Sequence, residues 1–148
     1  MKKFLGGLMA TALFAMPHIL LSLEISPGDE SYLFYTKREA DSFIYIDLYV
    51  NPKDSLVNAT EVHLSYRKDE LEFKSEEGFL PHSYPLPYSF EGDTLIIRHV
   101  DFESFTETKK IRTLTFKKKQ DKGSAMNFTI LPSSLLLLAD GEATNIFK

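Results

Sequence analysis

From residue 23 onward nearly every apolar pattern in the chain has period two, and no segment keeps a 3.6-residue period for three turns. Successive side chains alternate across a strand, so the pattern specifies strands rather than helices. Leu23 and Ile25 alternate up to Pro27 and Gly28. Ile44, Ile46, Leu48 and Val50 form one face of a strand that stops at Asn51 and Pro52. Its other face carries Phe43, Tyr45 and Tyr49, which predicts cover on both sides. Residues 60–66 and 71–74 give two more strands. Leu95 and Ile97 alternate with Thr94, Ile96 and Arg98, and Leu114 and Phe116 with Thr113 and Thr115. Phe128 and Ile130 follow a turn at Gly123, and "SSLLLLAD" reads as a strand buried on both sides before the turn at Asp140 and Gly141. Short strands parted by Gly, Pro, Asn and Asp predict an all-β sandwich or barrel. Its core would hold Val62, Leu64, Leu71, Phe73, Leu95, Ile97, Leu114, Phe116 and Phe128.

One interruption is unlike the others. In "NATEVHLSYRKDELEF", residues 58–73, Val62, Leu64 and Tyr66 alternate with polar residues. Four charged residues intervene, and Leu71 and Phe73 then resume the alternation. A strand broken this briefly and restarted at once predicts a step from one layer to another.

The N-terminus follows different rules. Lys2 and Lys3 precede an apolar run, "FLGGLMATALFAMPHILLSL", whose only titratable side chain is His18. This has the form of a secretory signal in residues 1–22, leaving 23–148 as one exported domain. The run is about 20 residues, enough to span a bilayer, so an uncleaved signal anchor is the other expectation. In that case the protein would touch a membrane only through this segment. There is no cysteine and no tryptophan, so disulfides and thiolate metal sites are excluded. An exported chain without cysteine fits a bacterial secreted or surface protein. The formal charge of −4 becomes −6 without residues 1–22, which does not suit a nucleic-acid backbone.

No catalytic or metal-binding arrangement emerges. His18, His63, His82 and His99 lack metal spacing and read as solvated. No serine sits in a nucleophile motif with matched partners. The pairs Asp69-Glu70 and Glu76-Glu77 are adjacent in charged turns, whereas paired catalytic carboxylates face each other across a cleft. Residues 79–90, "FLPHSYPLPYSF", read as a proline-stiffened connection whose aromatics cap one end of the fold. Lys117, Lys118, Lys119 and Lys122 read as a charged hairpin that discourages edge pairing.

Taken in order, these segments resemble a bacterial cohesin domain. Residues 58–73 are similar to its third and fourth strands, "DSFIYIDLYVN" to its second, and "GDTLIIRH" to its next long strand. "FTETKKIRTLTFKKK" and "SSLLLLADGEATNI" resemble its last segments. Two places differ from the usual pattern. Residues 31–42 look like a longer, more charged connection, and Arg112 stands on a core-side parity. The resemblance implies a two-sheet β-sandwich of jelly-roll topology with about nine strands. It implies a non-catalytic extracellular module, without a cofactor, binding a dockerin-like or other surface protein through one sheet face. That face would combine Glu61, His63 and Ser65 with Ile96 and Arg98 and with Thr113 and Thr115, all outward by alternation. Ile96 would be its apolar anchor. The alternatives are a carbohydrate-binding module acting on polysaccharide through Tyr45, Tyr49, Tyr84 and Tyr88, or a structural subunit of a surface assembly.

Overall fold

The computed structural model describes residues 32–78, 82–84, 86–119 and 127–147. The N-terminal segment, the alternation at Leu23 and Ile25, Phe79, Pro81, Pro85, Lys122 and Gly123 lie outside the described residues. Among the described residues the regular structure is all strand. In chain order the strands are β1 (Leu33–Ala40), β2 (Phe43–Val50), β3 (Val57–Tyr66), β4 (Leu71–Glu77) and β5 (Ser83–Tyr84). They continue with β6 (Ser89–Glu91), β7 (Thr94–Phe105), β8 (Lys109–Lys118), β9 (Phe128–Ile130) and β10 (Leu135–Leu138).

Two antiparallel sheets result. One has the order β1-β2-β8-β4, the other β10-β3-β7-β5, with β6 also pairing β7 and β9 also pairing β3. The chain changes sheet at β2–β3, β3–β4, β4–β5, β7–β8 and β8–β9. These crossings make the sandwich a jelly roll.

The charged step at residues 67–70 is one of them. The N–H groups of Glu70 and Leu71 both donate to the Arg67 carbonyl, at 3.1 and 2.9 Å. The Arg67 side chain pairs with Asp69 at 2.8 Å and Glu70 at 2.9 Å. The tight turn lifts the chain off β3 without changing which residues face inward.

The predicted core residues meet between the sheets. Eight are buried, and Phe73 is half-buried against the same cluster. Phe116 is the aromatic hub, with ring centroids 4.8 Å from Tyr66, 4.9 Å from Phe128 and 5.4 Å from Phe73.

Four expectations need correction. Residues 33–40 form β1, registered along its whole length on β2, instead of a connection. Leu33, Tyr35 and Lys37 point inward. The inward lysine, paired with Glu39 at 3.8 Å, hid the alternation. Asp41 supplies the left-handed φ of 53° that lets the hairpin close, which Asp tolerates better than most residues. Second, His99 is not solvated: it is fully buried in the middle of β7, because the strand runs on to Phe105. Third, β10 is an edge strand on which only Leu136 is fully buried. Fourth, residues 83–84 and 89–91 are strands on β7, so the proline-rich stretch is part of a sheet.

Candidate partner-binding face

The outer face of the β10-β3-β7-β5 sheet collects five of the residues expected there. Register sets Glu61 opposite Arg98 and His63 opposite Ile96, with Ser65 opposite Thr94. Cross-strand neighbours on one face are close enough for their side chains to interact, and here they do. Arg98 Nε donates to Glu61 Oε2 at 2.6 Å, and Arg98 NH1 to Ser89 Oγ at 3.0 Å. His63 Nε2 lies 2.7 Å from Glu61 Oε1, and His63 Nδ1 lies 2.8 Å from Ser133 Oγ. In the neutral ring, Nε2–H donates to the carboxylate and Nδ1 accepts the serine proton. The His63 backbone N–H donates to Ser134 Oγ at 2.9 Å. A continuous polar chain thus crosses the sheet from the turn before β10 to β6.

Partial burial pushes the Glu61 carboxyl upward. The hydrogen bonds from His63 and Arg98, and their charges, outweigh it and hold the group below its ordinary value. Glu61 is therefore ionised at neutral pH and fixes both neighbours. Serine, histidine and carboxylate in series are also the residue types of a hydrolytic triad. Here Arg98 shares the carboxylate and all members lie on an outer sheet face, so the chain braces the surface. Among the described residues no group of three or more His, Asp and Glu side chains could hold a metal ion.

The expected face is corrected at two points. Thr113 and Thr115 lie on β8, in the other sheet, opposite Asp47 and Tyr45. Thr113 Oγ1 donates to Asp47 Oδ1 at 2.6 Å on that opposite surface. Alternation tells which residues of a strand point outward, but not out of which sheet. Ile96 is outward by parity yet only 5% exposed, set between His63 and Ser89 in register. It braces the polar chain rather than presenting itself.

The exposed apolar groups of this sheet lie further along it. Tyr84 is 54% and Phe102 66% exposed, their rings edge to face at 5.4 Å. Tyr84 is registered opposite Val100, and the Phe102 N–H donates to the His82 carbonyl at 2.8 Å. Phe102 keeps the phase of Ile96, Arg98 and Val100. Period two continued past His99 was the sequence signal for it, whereas Ser89 and Ser133 carried none.

The four tyrosines of the carbohydrate alternative are not brought into one platform. Tyr49 stacks on Phe34 at 5.0 Å and Tyr45 lies under Arg38 at 5.2 Å, both on the other sheet. Tyr88 packs against Phe73 at 4.8 Å, and Tyr84 sits with Phe102.

No protein-family model matches the chain, and no curated protein matches it. Solved structures do. A chain of the CaDoc0917–CaCohA2 complex, crystallised at pH 5.5, aligns over 70% of this chain and 81% of its own, with a TM-score of 0.56 at 9% identity. The non-cellulosomal cohesin of the hyperthermophilic archaeon Archaeoglobus fulgidus aligns over 70% of this chain and 73% of its own, with a TM-score of 0.53 at 17% identity. Strand order, sheet crossings and these alignments agree, and the chain has the cohesin fold.

Proposed function

We propose that residues 23–148 form a non-catalytic protein-binding module that holds a dockerin-like or other surface protein against the outer face of the β10-β3-β7-β5 sheet. The observation that carries this reading is the pairing, on one face of a cohesin fold, of a braced polar chain with the exposed rings of Tyr84 and Phe102. Interfaces concentrate their energy in a few aromatic and arginine contacts surrounded by weaker ones. Phe102 and Arg98 have those properties here, and Ile96 does not. The structure solved as the CaDoc0917–CaCohA2 complex supports the reading, since that relative in fold is a component of an assembly.

Phe102→Asp should weaken capture of the partner more than tenfold, or over about 1.4 kcal/mol. The fold should survive, because the ring is two-thirds in solvent. The immobilised domain would be exposed to the culture medium of its source organism and the bound proteins identified by mass spectrometry. Lys117→Glu, exposed on the other sheet, should bind as the wild type does. Equal capture by the wild type and Phe102→Asp moves the interface elsewhere. Retention on insoluble polysaccharide alone replaces protein binding with the carbohydrate reading.

Such a partner meets the domain outside the cell, and the proposal includes export directed by Lys2, Lys3 and the apolar run after them. Mass spectrometry of the exported protein should find a mature start near Leu23. An intact Met1 confined to membranes would instead make the segment an anchor.

A further inference from the structure

Behind the outer face, between the sheets, lies a group of ionisable side chains that the proposed function does not use. Arg112 on β8 and His99 on β7 are both fully buried. Arg112 NH1 lies 3.0 Å from His99 Nδ1 and also donates to the Ile111 carbonyl at 2.7 Å. Arg112 NH2 donates to the Arg98 carbonyl at 3.2 Å. These contacts tie a strand of one sheet to a strand of the other.

Chemistry fixes the proton on His99. A guanidinium only donates, so Nδ1 must accept and the neutral ring carries its hydrogen on Nε2. That nitrogen lies 3.3 Å from Asp101 Oδ2. Asp101 is already held by Lys109 at 2.8 Å, and Arg112 Nε lies 3.6 Å from Glu76 Oε2. Among the described residues facing the ring, Arg112 and Lys109 on β8 are thus balanced by Asp101 on β7 and Glu76 on β4. A second proton on His99 would have to sit on Nδ1. It would point at the Arg112 N–H groups and add an unbalanced positive charge where no water reaches.

We propose that His99 is an acid-sensitive latch between the two sheets, closed while the ring is neutral and forced open when it takes a second proton. Burial holds its affinity for that proton below the ordinary value; Asp101 opposes this, and Arg112 and Lys109 reinforce it. The unfolded chain therefore takes up the proton first, near pH 6.5. The stability His99 contributes is complete above that pH and is lost as pH falls below it, toward the folded value. Glu76 works the other way. Burial raises its carboxyl above the ordinary value, against the pull of Arg112, so its protonation in acid favours the folded state.

His99→Gln isolates the latch, because the amide can accept from Arg112 and donate to Asp101 without titrating. Urea unfolding of the domain would be followed from pH 7.5 to 5.0 for both proteins. Below pH 6.5 the wild-type unfolding constant should rise by up to tenfold per pH unit relative to the variant. Parallel curves overturn the latch. NMR of the wild-type imidazole decides independently, including where the variant fails to fold. The Nε2–H tautomer with no titration until well below pH 6.5 supports the proposal, and titration at or above pH 6.5 overturns it.

Discussion

Arg112→Ala is expected to cost the domain about 3–5 kcal/mol, the range for breaking a buried ion pair from one side. The side chain is fully buried and its contacts join the two sheets. Alanine would leave the Glu76 carboxylate, nearly as buried, without its cation. It would also leave the His99 ring and the Arg98 carbonyl without a donor. Burial pushes Glu76 up and Arg112 down from their ordinary values, so desolvation opposes both charges. The pair is therefore costly to break without being a large source of stability. Arg112→Met combined with Glu76→Leu should consequently recover most of what Arg112→Ala loses. Urea midpoints at pH 7.5 for the three proteins, at constant m-value, measure this. If the double variant is no more stable than Arg112→Ala, the loss comes from packing and not from the stranded charge.

Ile96→Asp is expected to destabilise the fold by at least about 4 kcal/mol, in the range reserved for burying an unpaired charge or opening a core. Parity alone makes the same substitution a surface change that blunts binding and spares the fold. The difference is the 5% exposure of Ile96, whose cross-strand neighbours are held by the Glu61 chain. A carboxylate there would also sit beside Glu61, repelling the charge on which Arg98 and His63 depend. Thermal or urea unfolding would show the effect without any partner. A variant with wild-type stability would mean that Ile96 is a true surface residue.

These two positions mark where the sequence was legible and where it was not. The central strands β2, β3 and β8 alternate without interruption, so their core faces could be assigned from period two alone. The sheet change at residues 67–70 was legible because the charged break is too short for a loop and leaves the parity unchanged. β1 was not legible, because Lys37 takes an inward position that the pattern reserves for apolar residues. His99 and Asp101 disguise the second half of β7 in the same way, and with it the phase that leads to Phe102. Thr113 and Thr115 show a deeper limit. Which strands share a sheet is decided by pairings between distant segments, and local alternation does not contain that information.

Those distant pairings also set how the chain reaches its fold. Only the β1–β2 and β6–β7 hairpins join neighbouring segments through short turns. The Thr60 hydroxyl on β3 finds its acceptor on β10, 75 residues away, and the Tyr35 hydroxyl finds Phe128 across 93. Closing such loops before any contact rewards them slows folding toward the millisecond-to-second range of β-sandwiches. Until β9 and β10 arrive, β3 keeps one bare edge of unsatisfied N–H and C=O groups, an invitation to pair with another chain. The interval between the appearance of β3 and the docking of β10 is therefore when aggregation threatens this protein most. Lengthening that interval should lower its yield even where the finished domain is unchanged.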